Sequence, residues 1–239
     1  MAAETDPTPA ARPREGERPA ALEGPRFFPR PEQSAPEGLV GIGGVLEPEW
    51  LLDAYRHGIF PWPDADYEPM LWWSPDPRAV IEPDGGLHVS RRLQRTLRSG
   101  RFTTTFDRDF SAVIQGCATA PGRRGATWLT EPMIAAYTRL HRLGHAHSVE
   151  VWRDGRLAGG LYGVAVGGSF AAESMFHTVT DASKVALVRL VERLNRRGYR
   201  LLDIQQWTEH TGTMGATEIP RTQYLRRLAE AVDLPIAFG

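Results

Sequence analysis

Three polar side chains stand in stretches whose neighbours are otherwise apolar. Glu173 lies within Ala171-Ala172-Glu173-Ser174-Met175-Phe176, and Asp203 and Gln205 lie within Leu201-Leu202-Asp203-Ile204-Gln205. Both stretches read as buried strands, and a carboxylate leaves water at a high cost unless it is paired or used. Asp203 and Gln205 are two residues apart, so on a regular strand both side chains point to one face. A carboxylate beside a carboxamide can orient an amine and hold positive charge that develops on it. A structural polar network, or a solvated face, would use the same residues. The segment that follows, residues 207–220, has the turn formers of a loop able to cover such a site.

Other chemistries find no residues to run on. There is no nucleophile elbow, Walker loop, dinucleotide fingerprint or His-Glu-x-x-His pair. His141, His145 and His147 are close in sequence, but Gly144 breaks the helical spacing, and a satisfied helix end is the plainer reading. The single cysteine, Cys117, supports neither an internal disulfide nor a zinc set, which fits a reducing compartment. No metal and no cofactor is expected. One further group is conspicuous: Arg91, Arg95 and Arg98 fall at i, i+4 and i+7, with Arg92 and Arg101 nearby and no acid among them. This stripe is either a solvated helix face or a place for nucleic-acid phosphates.

The elements that must position these residues can be read from periodicity. Helices are predicted over residues 48–57, ended by Gly58, over 89–100, over 110–117, from Thr130 to Leu143 before Gly144, over 182–197 ended by Gly198, and over 224–232. Strands are predicted at 102–106, 148–152, 157–166, 169–175 and 201–206, with a hairpin turn at Arg153-Asp154-Gly155. Gly41-Ile42-Gly43-Gly44 reads as a glycine-rich turn. Residues 59–77 are dense in aromatics and prolines, among them Phe60, Trp62, Tyr67, Trp72 and Trp73, and read either as a structural wall or as a ring-lined pocket. Helices flanking a mostly antiparallel sheet make an α+β fold.

Length and charge set the outer bounds. The chain has 239 residues, 41% of them hydrophobic and 24% charged, with a net charge of -1. That is enough for one large domain or two small ones, and any nucleic-acid partner must be met by a local basic patch. No apolar run is long enough to span a membrane and no signal pattern opens the chain, so a cytoplasmic protein is expected. Residues 1–25 are rich in Pro, Ala, Glu and Arg and predict a disordered extension.

Over roughly residues 25–232 the chain resembles the leucyl/phenylalanyl-tRNA–protein transferases. The matching strings include Gly58-Ile59-Phe60-Pro61-Trp62, Leu71-Trp72-Trp73-Ser74-Pro75-Asp76-Pro77-Arg78, Leu87-His88-Val89-Ser90-Arg91, Gly144-His145-Ala146-His147-Ser148 and Glu150-Val151-Trp152. They continue through Gly160-Leu161-Tyr162-Gly163-Val164-Ala165, Glu173-Ser174-Met175-Phe176, Ala182-Ser183-Lys184, and Gly215-Ala216 with Glu218-Ile219-Pro220-Arg221. The resemblance implies a small N-terminal domain, residues 26–75, and a larger C-terminal domain similar to the GNAT acyltransferases, residues 76–239. It implies transfer of leucine or phenylalanine, less often methionine, from aminoacyl-tRNA to proteins that begin with Arg or Lys, which marks them for degradation. By the same resemblance Asp203 and Gln205 match the catalytic pair and Glu173 the acidic active-site residue. Tyr55, Trp62 and Trp128 match aromatic substrate positions, and Leu161, Met175 and Leu190 the amino-acid pocket. Arg91 matches the first arginine of a basic helix, with Arg95 and Arg98 following on its stripe as tRNA contacts. Leu161 and Leu190 stand where Met and Phe are expected of familiar members. A monomer is expected.

The implied reaction is ester aminolysis, which needs neither ATP nor a metal because the ester is already activated. An α-amine with a pKa of about 7.7–8.0 is partly neutral at pH 7, so positioning is expected to supply much of the rate. Gln205 is expected to accept a hydrogen bond from the amine, Asp203 to orient Gln205, and Glu173 to hold the amine or the basic side chain of the acceptor. Water, Asp203 and the ribose 2′-hydroxyl are all open as the final proton acceptor. Two other functions use some of these residues. An acetyl-CoA N-acetyltransferase would need a pyrophosphate loop, and Arg156-Leu157-Ala158-Gly159-Gly160-Leu161 fails that pattern at Leu161. An RNA-binding module would use the arginines and aromatics and leave the Asp203/Gln205 pair without a role.

Overall fold

The computed structural model describes residues 24–63, 69–120 and 128–239. The expected extension, up to residue 23, and Tyr67 of the aromatic run lie outside the described residues. The architecture is α+β, with a small N-terminal part and a larger, mostly antiparallel sheet flanked by helices.

The N-terminal part is built on a three-stranded antiparallel sheet in the order β1 (Leu39–Ile42), β3 (Leu71–Trp73), β2 (Phe60–Pro61), with helix α1 (Pro48–Arg56) between β1 and β2. One expectation is corrected here. Gly41 and Ile42 belong to a strand, and the turn comes after them, where Gly43 and Gly44 take φ of 89° and 81°. The aromatic and proline-rich run holds two short strands, because Trp72 and Phe60 bury their rings against Leu51, Ala54 and Tyr55 and the backbone pairs around them.

The larger sheet has seven strands in the order β10-β4-β9-β8-β7-β6-β5. These are β4 (Arg78–Ile81), β5 (Thr103–Phe106), β6 (Ala146–Arg153), β7 (Arg156–Val166), β8 (Ser169–His177), β9 (Leu201–Gln205) and β10 (Thr217–Ile219). Every pairing is antiparallel except β8 with β9. The β6–β7 hairpin turns on Asp154 and Gly155, both left-handed, the backbone that a two-residue turn requires. Helix α5 (Ala182–Arg197) carries the chain from β8 to β9; its apolar stripe holds it to the sheet, and Gly198 ends it at φ 81°.

The sheet buries both faces. Tyr162, Val164 and Phe176 pack against α3 (Phe110–Thr119), α4 (Glu131–Arg142) and α1, in a cluster that continues without a break to Phe28 and Trp72 of the small sheet. Val149, Val151, Leu161 and Phe170 face α5 and α2 (Arg91–Arg98). Helix α7 (Arg221–Val232) closes over β4 and β9 through Tyr224 and Leu228. Strands β4 and β10 and the short helix α6 (Glu209–Gly212) were not anticipated: β4 is buried at all four positions and so shows no alternation, and the others are three and four residues long.

Close backbone approach is required at Gly163, beside an irregularity in the β7–β8 register. A Cβ there would overlap the carbonyl oxygen of Ala171 and the ring of Phe170. Gly163→Ala should therefore lower stability by about 1–3 kcal/mol, the usual range for overpacking. Urea unfolding checks this; a midpoint unchanged from wild type would mean the strands separate there at no cost.

Candidate active site

Strands β8 and β9 pair only from Ser169/Leu201 to Ala171/Asp203 and then part. At the fork each strand carries an extra residue. The β7–β8 register steps from Tyr162/Ser174 to Gly163/Ala172, which leaves Glu173 as the bulged residue of β8. The β4–β9 register steps from Ala79/Gln205 to Val80/Asp203, and Gln205 takes a left-handed φ of 59°. Bulges re-aim side chains. Here they turn Glu173 and Gln205 toward each other and into a cavity of about 500 Å³ that opens where the strands part.

This geometry corrects the expectation that Asp203 and Gln205 share a face. The register shift and the left-handed residue break the two-residue alternation. Asp203 turns away from the cavity, into the contact between β9, β4 and α7. Its carboxylate is held by Arg78 through two hydrogen bonds, Nε to Oδ1 at 2.8 Å and Nη2 to Oδ2 at 2.6 Å. Tyr224 donates its hydroxyl to Oδ2 at 2.8 Å, and the backbone N–H of Gln205 donates to Oδ1 at 2.9 Å. Arg78 also donates to the carbonyl of Gly58 at 3.1 Å, and its guanidinium lies between the rings of Phe60 and Tyr224. Arg78 and Asp203 are each 1% exposed. Burial works against the charge of Arg78, but Asp203 and Tyr224 outweigh it and the pKa is shifted upward. Asp203 thus grips the backbone of Gln205 rather than its side chain.

The Gln205 side chain answers to Glu173. Its Nε2 donates to Glu173 Oε1 at 2.9 Å, which directs the carboxamide oxygen elsewhere. Glu173 Oε2 accepts from the Tyr137 hydroxyl at 3.1 Å, and Tyr137 lies 2.6 Å from the hydroxyl of Tyr55. Burial pushes the Glu173 carboxyl up to about 8; the hydroxyls of Tyr55 and Tyr137 and the charge of Arg78 oppose that, and the nearby negative charge of Asp203 adds to it. Glu173 is the one carboxylate among the described lining residues of the cavity.

The remaining walls divide by chemistry. Leu161, Met175 and Leu187 make an apolar floor, and Trp62 and Trp128 stack on each other at 5.2 Å and 21° at one side. His177, Ser183, His210, Thr208 and Thr211 make a polar end. Of the residues singled out in the sequence, Glu173, Gln205, Trp62, Trp128, Leu161 and Met175 line the cavity together. Leu190 is buried in the core cluster that also holds Leu161 and Leu187. Tyr55 stands behind Tyr137 and also bears on Glu173 with its own hydroxyl, and Asp203 reaches the site through the Gln205 backbone and through its charge. Arg91, Arg95 and Arg98 are exposed on α2, which packs against α5, outside the cavity. Arg78, Tyr137, Tyr224, Leu187, His177 and Ser183 were not singled out by the sequence as site residues; an arginine placed directly after the proline-rich run, ahead of Ala79-Val80-Ile81, was the one signal available. His147 and His141 are engaged by Asp107 and by backbone carbonyls.

Comparison with known proteins gives the following. A family model described as leucyl/phenylalanyl-tRNA protein transferase matches residues 80–229, and the model of that family's N-terminal domain matches residues 44–76. The chain is 54% identical over 214 residues to the leucyl/phenylalanyl-tRNA–protein transferase of Anaeromyxobacter sp. (strain K), covering 89% of this chain and 91% of that one. It is 53% identical over 205 residues to the protein of the same name from Solidesulfovibrio magneticus, covering 85% and 82%. Among solved structures it is similar to a GCN5-related N-acetyltransferase from Kribbella flavida, at 13% identity and a TM-score of 0.40, covering 73% and 61%. It is also similar to L-PGS from Bacillus licheniformis, at 13% and 0.42, covering 70% and 54%. Likeness at those scores bears on neither fold nor chemistry.

Two outcomes follow from the buried charges. Arg78→Met should cost about 3–5 kcal/mol, because it strands the Asp203 carboxylate without a counter-charge. Asp203→Asn in that background should recover part of the loss, and a double-mutant cycle by denaturant unfolding in which the two losses simply add would mean the pair does not act as a unit. Glu173 gives a pH dependence. Its folded-state pKa of about 8 lies above the ordinary 4.5, so the native state keeps a proton that the unfolded chain releases. The unfolding free energy therefore falls as pH rises from about 4.5 to about 8. In Glu173→Gln that contribution is gone, and the variant should gain on the wild type across this window. Parallel pH–stability curves for the two proteins would show that Glu173 titrates normally.

Proposed function

The chain belongs to the leucyl/phenylalanyl-tRNA–protein transferase family, and we propose that it moves leucine, phenylalanine or, less often, methionine from aminoacyl-tRNA to the N-terminal Arg or Lys of acceptor proteins, which marks them for degradation. The observation that carries this reading is the Gln205 carboxamide. With Nε2 committed to Glu173, its oxygen is the hydrogen-bond acceptor offered to a ligand, in a cavity whose floor is apolar. An α-amine and an apolar aminoacyl group are the pair of ligands such a surface fits.

In this reading the aminoacyl side chain lies against Leu161, Met175 and Leu187, with Leu190 filling the core behind them. The planar base of the donor's terminal nucleoside stacks on the Trp62 and Trp128 rings, since every base has a π-face that an aromatic ring accepts. The acceptor amine approaches with an N–H directed at Gln205 Oε1 and attacks the ester carbonyl carbon. The proton leaves nitrogen and reaches the departing 3′-oxygen by way of water or the ribose 2′-hydroxyl, while Glu173, protonated at neutral pH, holds the Gln205 carboxamide in place. The carbon–oxygen bond breaks as the amide forms, and no net proton is gained or lost. Asp203, bound by Arg78 and Tyr224, fixes the left-handed backbone of Gln205 and is a positioning residue. This removes it from the candidates for final proton acceptor, because both of its oxygens are already engaged.

The acceptor's basic side chain meets Glu173, whose carboxyl gives up its proton as the cation arrives, since an adjacent positive charge favours the ionised form. Arg91, Arg95 and Arg98 meet tRNA phosphates on α2. Residues 26–75 act as a small N-terminal domain that lends Trp62 and the Tyr55–Tyr137 support to a centre otherwise built from residues 76–239, following the extension at 1–25. Among the described residues no helix is long and apolar enough to cross a membrane. We place the enzyme in the cytoplasm, acting as a monomer.

The test is transfer of label from leucyl-tRNA to a peptide that begins with Arg. The wild type should label the peptide, and a Met-starting peptide should remain unlabelled. Gln205→Ala should lower kcat by about 100-fold or more, the scale for removing one preorganised group that acts on developing charge, with KM for leucyl-tRNA little changed. Wild-type protein that leaves the Arg peptide unlabelled would refute the reaction, and full turnover by Gln205→Ala would remove the carboxamide from it.

A further inference from the structure

Gln205 is followed by the segment that closes one rim of the cavity, residues 206–216. Gln206, Thr208 and Thr211 of that segment line the cavity, and among them stands Trp207, 47% exposed. Each of the other six tryptophans packs on a ring or donates its indole N–H: Trp50, Trp62, Trp72 and Trp128 meet other rings, and Trp73 and Trp152 are hydrogen-bonded. Among the described residues Trp207 has neither kind of partner. A single exposed apolar side chain needs no explanation by itself. This one is held in place. Its indole rests against Gly212, where a Cβ would stand 2.8 Å from Nε1 and 2.7 Å from Cε2. Gly212 donates to the carbonyl of Thr208 at 2.8 Å, and the N–H groups of Thr208 and Thr211 each donate to the other's hydroxyl, at 3.0 and 3.1 Å. A ring pinned by its own turn, with much of its surface open, loses little freedom on meeting a planar partner.

The surroundings of the segment select that partner. Its far end is tied to the approach to α2. The N–H of His88 donates to the carbonyl of Met214 at 2.9 Å, and Gly215, at φ 98°, meets Gly86 so closely that a Cβ would overlap the Gly86 carbonyl oxygen. Arg91 opens α2 three residues after His88. Trp207 therefore stands on a stretch of chain that borders the cavity at one end and the arginine stripe at the other. The segment itself carries one acid, Glu209, and no lysine or arginine, so it offers a ring rather than a phosphate contact. An aromatic surface beside a basic track is the arrangement that holds single-stranded nucleic acid.

We propose that Trp207 is a stacking platform for an unpaired base of the donor's 3′ strand, the base next to the terminal nucleoside. The platform rests on the reading of the cavity as the aminoacyl-ester site. The terminal base takes Trp62 and Trp128, its neighbour takes Trp207 at the rim, and the strand runs on over residues 206–216 to α2.

The experiment compares three short donors with an Arg-starting peptide as acceptor: 3′-O-leucyl-adenosine, the same ester of cytidylyl-(3′→5′)-adenosine, and that of a dinucleotide whose first ribose carries no base. In the wild type the second base should lower the donor KM by roughly ten-fold relative to the abasic donor, within the range for stacking one base on an aromatic ring. Trp207→Ala should lose that advantage, and Trp207→Phe should keep most of it. Trp207→Ala should also weaken binding of leucyl-tRNA without changing its salt dependence, since a ring releases no counterion. KM for leucyl-adenosine reports on fold and chemistry in each variant. An equal rise for all three donors would reduce Trp207 to packing over Gly212 and overturn the platform. A base advantage that survives Trp207→Ala, or an abasic donor as good as the full one in the wild type, would do the same. Failure of the wild type to use any short donor, with leucyl-tRNA still active, would overturn it as well; failure with leucyl-tRNA too would instead bring down the reading of the cavity itself.

Discussion

The pairing of Arg78 with Asp203 is the contact on which the rest of the site depends. Two full charges are withdrawn from water, and the arrangement holds because each polar atom around them finds a partner: Gly58, Tyr224 and the Gln205 backbone take up the remaining donors and acceptors. Such a pair adds little net stability compared with apolar packing, but it tolerates no displacement. Its geometry joins β4, β9, α7 and the turn after α1 at one point. It also holds Gln205 in a backbone conformation that an unbranched side chain adopts only under constraint. Stability and alignment are thus supplied by the same contact, on the side of the strand opposite the cavity.

A second chain of contacts comes from the N-terminal part. Tyr55 of α1 meets Tyr137 of α4, and Tyr137 meets Glu173. The two phenols limit how far burial can raise the Glu173 carboxyl, so the small sheet and its helix tune the electrostatics of a residue in the larger sheet. The continuous core from Trp72 to Tyr162 keeps that arrangement stiff. Residues 26–75 are in this sense part of the site's second wall, however the chain is divided.

Much of the scaffold was legible because its signals are local. The apolar stripe of α5, its glycine stop and the Asp154-Gly155 turn each specify structure within a few residues. The site was legible in composition, since Glu173, Asp203 and Gln205 interrupt apolar strands, but not in direction. A bulge at Glu173 and a left-handed Gln205 reverse the facing that alternation implies, and neither has a signature in residue type. Strand β4 was hidden for a related reason: its first residue is a buried arginine, whose partner is 125 residues away. His177 lay beyond the strand predicted at 169–175 and Ser183 in the helix predicted at 182–197, so nothing short of the fold could bring them together.

The stacked pair of Trp62 and Trp128 makes the empty site its own competitor. A planar ligand that enters between these rings must first undo a contact of about 0.5–1.5 kcal/mol, so its observed affinity is the remainder after that exchange. A flat molecule with nothing else to offer gains little, whereas one that also brings an apolar side chain and a charged tail has contacts to spare. Self-occlusion of this kind acts as a threshold: each indole covers one face of the other, and a ligand that engages several walls at once has the most to set against parting them.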